Sequence, residues 1–168
     1  SSDLASGGVG RMLTQLITAY GGRVIGRVSR EEKAASARAA GASEVIVSEA
    51  GDFSTEVLRL TDGRGVDVVY DGTGAEGFDG SMRSLDYFGT LVAFGPLMDP
   101  VAPINPFALP KSIKLTAPSA MDAVRDPAHF ADYAEQLFAA LRDGRLIPEI
   151  GGRFALADAA KAHQAIES

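Results

Sequence analysis

Short apolar runs alternate with segments of helical periodicity along most of this chain. The strand-like runs cover residues 24–28, 45–47, 66–70 and 91–94, and helix-like patterns lie between and after them. Because these runs contain little polar alternation, each predicted strand is expected to be buried on both faces. A parallel sheet with helices on both sides meets that requirement. The sequence therefore predicts a doubly wound α/β fold.

Length and composition limit the classes of function. The 168 residues are enough for one domain with a substantial core. The formal net charge of −6 argues against nucleic-acid binding, because affinity for the phosphate backbone comes from clustered Lys and Arg. No apolar run approaches the roughly 20 residues of a membrane span, so we expect a cytoplasmic protein without a membrane partner.

A metal centre is not expected. The chain has no cysteine and only two histidines, His129 and His163, so any zinc site would depend on carboxylates. His129 follows Asp-Pro at a predicted helix start and is interpreted as a surface or capping residue. His163 lies on the last predicted helix, where we expect a packing role.

A cluster of glycines near the start of the chain leads directly into a helical pattern. Glycine permits a tight turn and close approach of a ligand, and the following helix N-terminus attracts phosphate. The row also fits a degenerate G-x-G-x-x-G fingerprint through Ala5, Gly7 and Gly10. An ordinary turn is the alternative. The predicted phosphate-binding residues are Ser6, Gly7, Gly8, Val9 and Gly10.

The residues after the strand at 24–28 indicate which dinucleotide the fold would select. Folds that prefer NAD place Asp or Glu there, about 20 residues after the glycine loop, to bind the ribose 2′-hydroxyl. Here Ser29 can donate a hydrogen bond, and Arg27, Arg30 or Lys33 can supply positive charge to a 2′-phosphate. This pattern favours NADPH. The alternative is a solvated first helical turn.

Two regions depart from a regular alternation. A glycine loop of this kind follows a central first strand, but residues 1–4 are too few for one, so we expect the sheet to lack it. Six of the eight prolines lie between positions 96 and 118, which predicts a long extended connection containing an edge strand at residues 112–117. Later, the pattern indicates a strand at 150–154 and a helix at 157–166.

Several stretches occur in one order along the chain: residues 4–10, 24–29 followed by Lys33, 40–42, 63–71, 89–95 and 162–163. Together they resemble the zinc-independent quinone oxidoreductases of the medium-chain dehydrogenase/reductase superfamily. The resemblance implies that residues 1–145 form a Rossmann-like NADPH-binding domain, truncated at its front, and that residues 146–168 return to an absent catalytic domain. It also implies hydride transfer from NADPH to a quinone or another α,β-unsaturated carbonyl.

The same resemblance implies that two later loops contact the ribose and nicotinamide ends of the cofactor, although ordinary turn chemistry explains them equally well. Ser48 replaces a tyrosine common in the family, and Pro96 replaces a common asparagine. No catalytic residue is identified, which fits a reaction in which the cofactor carries the reactive atom. The loop residues are Thr73, Gly74, Phe94, Gly95 and Pro96.

Two alternatives to a quinone oxidoreductase remain open: an enoyl reductase of a related branch, and a non-catalytic module that binds or senses NADPH. A homodimer through residues 112–117 is expected, because an open edge strand leaves backbone groups unpaired and the family often dimerises there. Leu109, Ile113 and Leu115 would add apolar surface. The alternative is an edge protected by Lys111 and Lys114.

Overall fold

A computed structural model describes residues 5–48, 52–95 and 103–167, and they form alternating helices and strands. The strands are β1 Ile25–Val28, β2 Glu44–Val47, β3 Val66–Asp71, β4 Leu85–Ala93 and β5 Lys114–Thr116. The helices are α1 Gly8–Ala19, α2 Ala34–Ala39, α3 Ser54–Leu60, α4 Ala75–Ser84, α5 Ala120–Ala123, α6 Pro127–Arg142 and α7 Ala159–Glu167.

All paired strands run parallel, which confirms the predicted α/β class. β1 pairs with β2, from Ile25 opposite Glu44 to Val28 opposite Val47. β3, β4 and β5 form a second sheet in that order. Within the described residues no strand precedes α1, and β1 and β3 belong to separate sheets and do not pair with each other.

Each sheet has its own core cluster. Alanines of α2 pack against β1, where Val28, Ala34 and Ala37 have no exposed surface. The second cluster joins α4 to β4 and the segment before β5 through Phe78, Leu85, Leu91 and Ile113. The small side chains of α2 allow that helix to lie close to its sheet, since packed interiors leave few voids.

The C-terminal part of the described chain is attached to α1 by polar contacts. The Gln15 side chain donates to the Ile147 carbonyl at 3.1 Å and accepts from the Ile147 N–H at 2.6 Å. Arg11 forms an ion pair with Glu149, and Arg145 donates to the Tyr20 hydroxyl. Leu146 is buried beside these contacts.

Some predicted elements differ from the structure. Residues 150–154 are irregular rather than a strand, and Gly151 and Gly152 explain this, because adjacent glycines weaken a strand. The edge strand is shorter than expected, with a 3₁₀ turn at Pro110–Ser112 before it. The helix predicted at 157–166 opens with a 3₁₀ turn at Leu156–Asp158, and a 3₁₀ turn at Glu31–Lys33 likewise leads into α2.

Ile113 and Leu109 also differ from expectation. Ile113 is 7% exposed and belongs to the second core cluster, and Leu109 packs against that cluster. Ile113 therefore adds no apolar surface to the sheet edge, whereas Leu109 is half-buried and Leu115 is exposed. Lys111 donates its ammonium protons to the carbonyls of Arg83 and Leu85, which ties it to the end of α4.

Candidate nucleotide-binding site

The glycine loop forms the N-terminal end of α1. Gly7 is the N-cap with extended backbone (φ −72°, ψ 167°), and the Arg11 N–H donates to the Gly7 carbonyl at 3.0 Å. Gly7, Gly8 and Val9 are exposed, and a Cβ added at Gly8 would meet no atom within 4 Å. The first turn contains no acidic residue. The start of α1 therefore presents backbone N–H groups to open space, as anion binding requires.

A hydroxyl and two cations follow the carboxyl end of β1. Ser29 and Lys33 are half-buried and Arg30 is exposed, and the Lys33 N–H donates to the Arg30 carbonyl at 3.1 Å. The nearby acidic residue Glu31 lies 4.0 Å from the guanidinium of Arg38. The turn after β1 thus carries the Ser29 hydroxyl and the cations Arg30 and Lys33, together with the carboxylates of Glu31 and Glu32.

Asp71 at the end of β3 organises the turn that contains Thr73 and Gly74. Its side chain is 2% exposed, and its Oδ1 accepts from the Thr73 N–H and the Thr73 hydroxyl, both at 2.7 Å. Gly74 has φ 69° and ψ −141°, a conformation that a side chain disfavours, and α4 begins at the next residue. The sequence analysis placed Thr73 and Gly74 here but did not assign this role to Asp71. An Asx turn, Asp followed two residues later by Thr, was the available signal.

The loop after β4 lies against that turn. The Phe94 N–H donates to the Asp71 carbonyl at 2.8 Å, and a Cβ added at Gly95 would lie 2.6 Å from the Gly72 carbonyl carbon. Glycine at position 95 therefore allows the two backbones to meet. Pro96 lies outside the described residues.

The structure brings part of the predicted set together. Gly10 of α1, Thr73 after β3 and Phe94 after β4 line one cavity of about 770 Å³. The residues that follow β1, namely Ser29, Arg30 and Lys33, do not line it. The other predicted residues that the structure describes do not line it either, namely Ser6, Gly7, Gly8, Val9, Gly74 and Gly95.

The described residues show no group of three or more His, Cys, Asp or Glu that could hold a metal ion. His129 is exposed with its Nδ1 3.6 Å from Asp126, in agreement with a surface residue at a helix start. His163 is exposed rather than packed, as are most residues of α7. None of the helices in this part of the chain is both long and apolar enough to cross a membrane.

Residues 8–143 match the family described as zinc-binding dehydrogenase, and the chain belongs to that family. Its residues correspond to the cofactor-binding half, and the resemblance to quinone oxidoreductases is confirmed. The chain is 38% identical over 161 residues to a quinone oxidoreductase of Pseudomonas aeruginosa, covering 95% of this chain and 50% of that protein. It is 32% identical over 163 residues to a 2-haloacrylate reductase of a Burkholderia species, covering 95% and 49%.

The fold is also shared with solved structures. A mycobacterial protein solved in complex with NADPH superposes with a TM-score of 0.85 at 41% identity, covering 98% of this chain and 52% of the other. The chain thus spans about half the length of the proteins it matches. These similarities establish a Rossmann-like cofactor domain.

Proposed function

We propose that this chain is the NADPH-binding part of an oxidoreductase that transfers a hydride to a quinone or another α,β-unsaturated carbonyl. The observation that carries the proposal is the open start of α1, where Gly8 leaves space in front of backbone N–H groups. The family membership of the chain and the NADPH complex of its mycobacterial neighbour support the choice of ligand.

The pyrophosphate of the cofactor would lie at the start of α1. Backbone N–H groups there donate to phosphate oxygens, and the helix dipole stabilises their charge. The absence of an acidic residue from the first turn removes a source of repulsion. The residues assigned to this role are Ser6, Gly7, Gly8, Val9 and Gly10.

The 2′-phosphate would lie beside the turn after β1. Ser29 donates a hydrogen bond, and Arg30 and Lys33 provide charge-assisted donors. NADH lacks this phosphate and gains nothing from the two cations. This group of residues therefore decides selectivity between the two cofactors.

The ribose and nicotinamide would extend toward the turns after β3 and β4. NADPH, when bound, supplies the hydride, and the protein orients it toward the acceptor. Asp71 holds the Thr73 hydroxyl in place. The close contact of Gly72 with Gly95 holds the loops after β3 and β4 together on this side of the site. The residues assigned here are Thr73, Gly74, Phe94, Gly95 and Pro96.

We assign residues 1–145 to the cofactor domain and residues 146–168 to a segment that returns to a catalytic domain. Two relatives support the acceptor class, a quinone oxidoreductase and a 2-haloacrylate reductase. Both names describe acceptors with a carbon–carbon double bond conjugated to a carbonyl or carboxyl group. An enoyl reductase would act on the same chemical feature.

Fluorescence titration of the chain with NADPH and NADH tests cofactor selectivity. We expect NADPH to bind at least several-fold more tightly, since a charge-assisted hydrogen bond contributes about 1.5–3 kcal/mol. Equal affinities would contradict the assignment of Ser29, Arg30 and Lys33.

For the activity, consumption of NADPH is followed in a full-length protein carrying this domain, with a benzoquinone and a haloacrylate as acceptors. If the protein turns over neither acceptor, the result supports the non-catalytic alternative.

We also propose that the protein is cytoplasmic and forms a homodimer through the edge of β5. β5 is the last strand of its sheet among the described strands, and Leu115 is exposed. Pairing of two such edges would satisfy backbone groups that the second sheet leaves open.

A further inference from the structure

The segment after α6 contacts one face of α1 at two points. The Gln15 side-chain amide donates to the Ile147 carbonyl at 3.1 Å and accepts from the Ile147 N–H at 2.6 Å. Arg11 lies one helical turn before Gln15 on the same face and pairs through Nη1 with the carboxylate of Glu149. The two contacts therefore fix the course of residues 147–149 along the first half of α1.

The two contacts differ in how easily they can be broken. The neutral bonds of Gln15 hold the backbone of Ile147 beside Leu146, which is buried. The ion pair joins an Arg11 side chain that is 22% exposed to a Glu149 side chain that is 63% exposed. An ion pair with one partner in water contributes little to stability, so the carboxylate can leave Arg11 while the segment stays attached at Ile147.

Arg11 is directed toward the start of α1. It follows Gly8 by three residues, which corresponds to about 4.5 Å along the helix axis. Helical side chains lean toward the N-terminus of their own helix, so the guanidinium is carried toward the space in front of Gly8. A guanidinium is also the side-chain cation that pairs with phosphate in bidentate geometry. The cation that Glu149 occupies is therefore suited to the ligand proposed for this helix end.

We infer that Arg11 binds the pyrophosphate of the cofactor and that Glu149 competes for the same guanidinium, so that Glu149 lowers cofactor affinity. The inference rests on the proposed function, because it takes the dinucleotide as the ligand of α1. A pyrophosphate carries more negative charge than one carboxylate and offers a bidentate acceptor, so the bound cofactor displaces Glu149 into water. Displacement frees the chain after Ile147, which is the part that we assign to a catalytic domain.

A double-mutant cycle measured by fluorescence titration tests this inference. Glu149→Gln should tighten the binding of NADPH and NADH alike by about two- to five-fold, the range expected for an exposed ion pair. The two cofactors respond equally because they share the pyrophosphate. Arg11→Gln should weaken both by about ten-fold. Glu149→Gln added to Arg11→Gln should cause no further change, because the carboxylate acts through Arg11.

Two control variants accompany the cycle. Glu135→Gln removes a carboxylate that is paired with Arg142 and changes the net charge by the same amount, so it should leave both affinities unchanged. Arg11→Lys keeps the charge without the planar fork and should recover part of the affinity that Arg11→Gln loses. Thermal unfolding followed by circular dichroism shows whether each variant is folded.

Unchanged or weaker binding by Glu149→Gln would overturn the inference, even if Arg11→Gln does not fold. An equal gain in the Arg11→Gln background, or from Glu135→Gln, would overturn it as well, because the effect would then be one of general charge. A wild-type chain that binds neither cofactor would overturn the proposed function, and this inference with it. Normal binding by the wild type without a gain in Glu149→Gln would overturn this inference alone.

Discussion

At the scale of single residues, the candidate site depends on positions where a side chain is either absent or held by one partner. Gly8 leaves open space in front of α1, and Gly95 allows two loops to touch. Asp71 fixes the Thr73 hydroxyl through its Oδ1. Of these positions, Gly8 can be tested by a substitution that changes binding without changing the fold.

Gly8→Ala should weaken NADPH binding while leaving the chain folded. The added Cβ meets no protein atom within 4 Å, and alanine in a helix is favoured over glycine by about 1 kcal/mol. The methyl group would occupy the space assigned to phosphate. Titration and thermal unfolding measure the two effects, with Gly151→Ala as the control for an open glycine elsewhere. Unchanged affinity would place the phosphate site elsewhere.

Lys33→Ala should weaken NADPH binding more than NADH binding. Its ammonium group is assigned to the 2′-phosphate, and loss of a charge-assisted bond corresponds to roughly a ten-fold change in Kd. Arg125→Ala, at an exposed position away from β1, should change neither affinity. Equal weakening of both cofactors would show that Lys33 contributes only general charge.

Asp52→Asn should reduce stability near neutral pH and have less effect in acid. Hydrogen bonds from the Ser54 hydroxyl and N–H, with Arg83 nearby, hold the pKa of Asp52 below its ordinary value. A carboxyl with a depressed pKa in the folded state stabilises the protein above its unfolded pKa, and the effect is lost as pH falls through the folded pKa. Urea unfolding at about pH 7 and about pH 3 measures this, with Asp79→Asn as control. A pH-independent difference would contradict the explanation.

At the scale of elements, the turn between α3 and β3 combines backbone conformation with close packing. Gly63 and Gly65 both have positive φ, 82° and 92°. A Cβ at Gly63 meets nothing within 4 Å, whereas a Cβ at Gly65 would lie 2.7 Å from the Ser84 carbonyl oxygen. The Thr61 hydroxyl accepts from the Gly65 N–H at 3.0 Å and reinforces the turn. This turn fixes where β3 begins relative to the end of α4.

Gly65→Ala should therefore destabilise the fold more than Gly63→Ala. The latter carries only the strain of a side chain in the left-handed region, about 1–2 kcal/mol. The former carries that strain and a clash with backbone that must shift. Urea unfolding of both variants gives the difference between their free energies of unfolding. Equal destabilisation would show that the end of α4 moves to accommodate the added Cβ without an energetic penalty.

At the scale of the whole molecule, the two sheets and their edges determine how the chain associates. The proposed dimer uses β5, and Leu115→Glu places a charge on that edge. We expect the wild type to sediment as a dimer at micromolar concentration and Leu115→Glu as a monomer, since like charges facing each other oppose pairing. Leu156→Glu, at a residue that is 94% exposed, is the matched control. A monomeric wild type would rule out this dimer.

The sequence by itself determined the order and type of most elements. Apolar runs without polar alternation predicted β1 to β4 because strands buried on both faces require apolar residues at successive positions. The glycine cluster predicted the start of α1, since backbone conformation there is a local property. The cofactor selectivity of Ser29, Arg30 and Lys33 also came from local residues, and it remains a prediction.

Only the tertiary structure decided which groups meet. Ile113 is buried instead of lying on the edge, and Gly95 contacts Gly72. These features depend on the distance between segments that are remote in sequence. Burial and hydrogen bonding across such distances follow from packing, which local propensity does not specify.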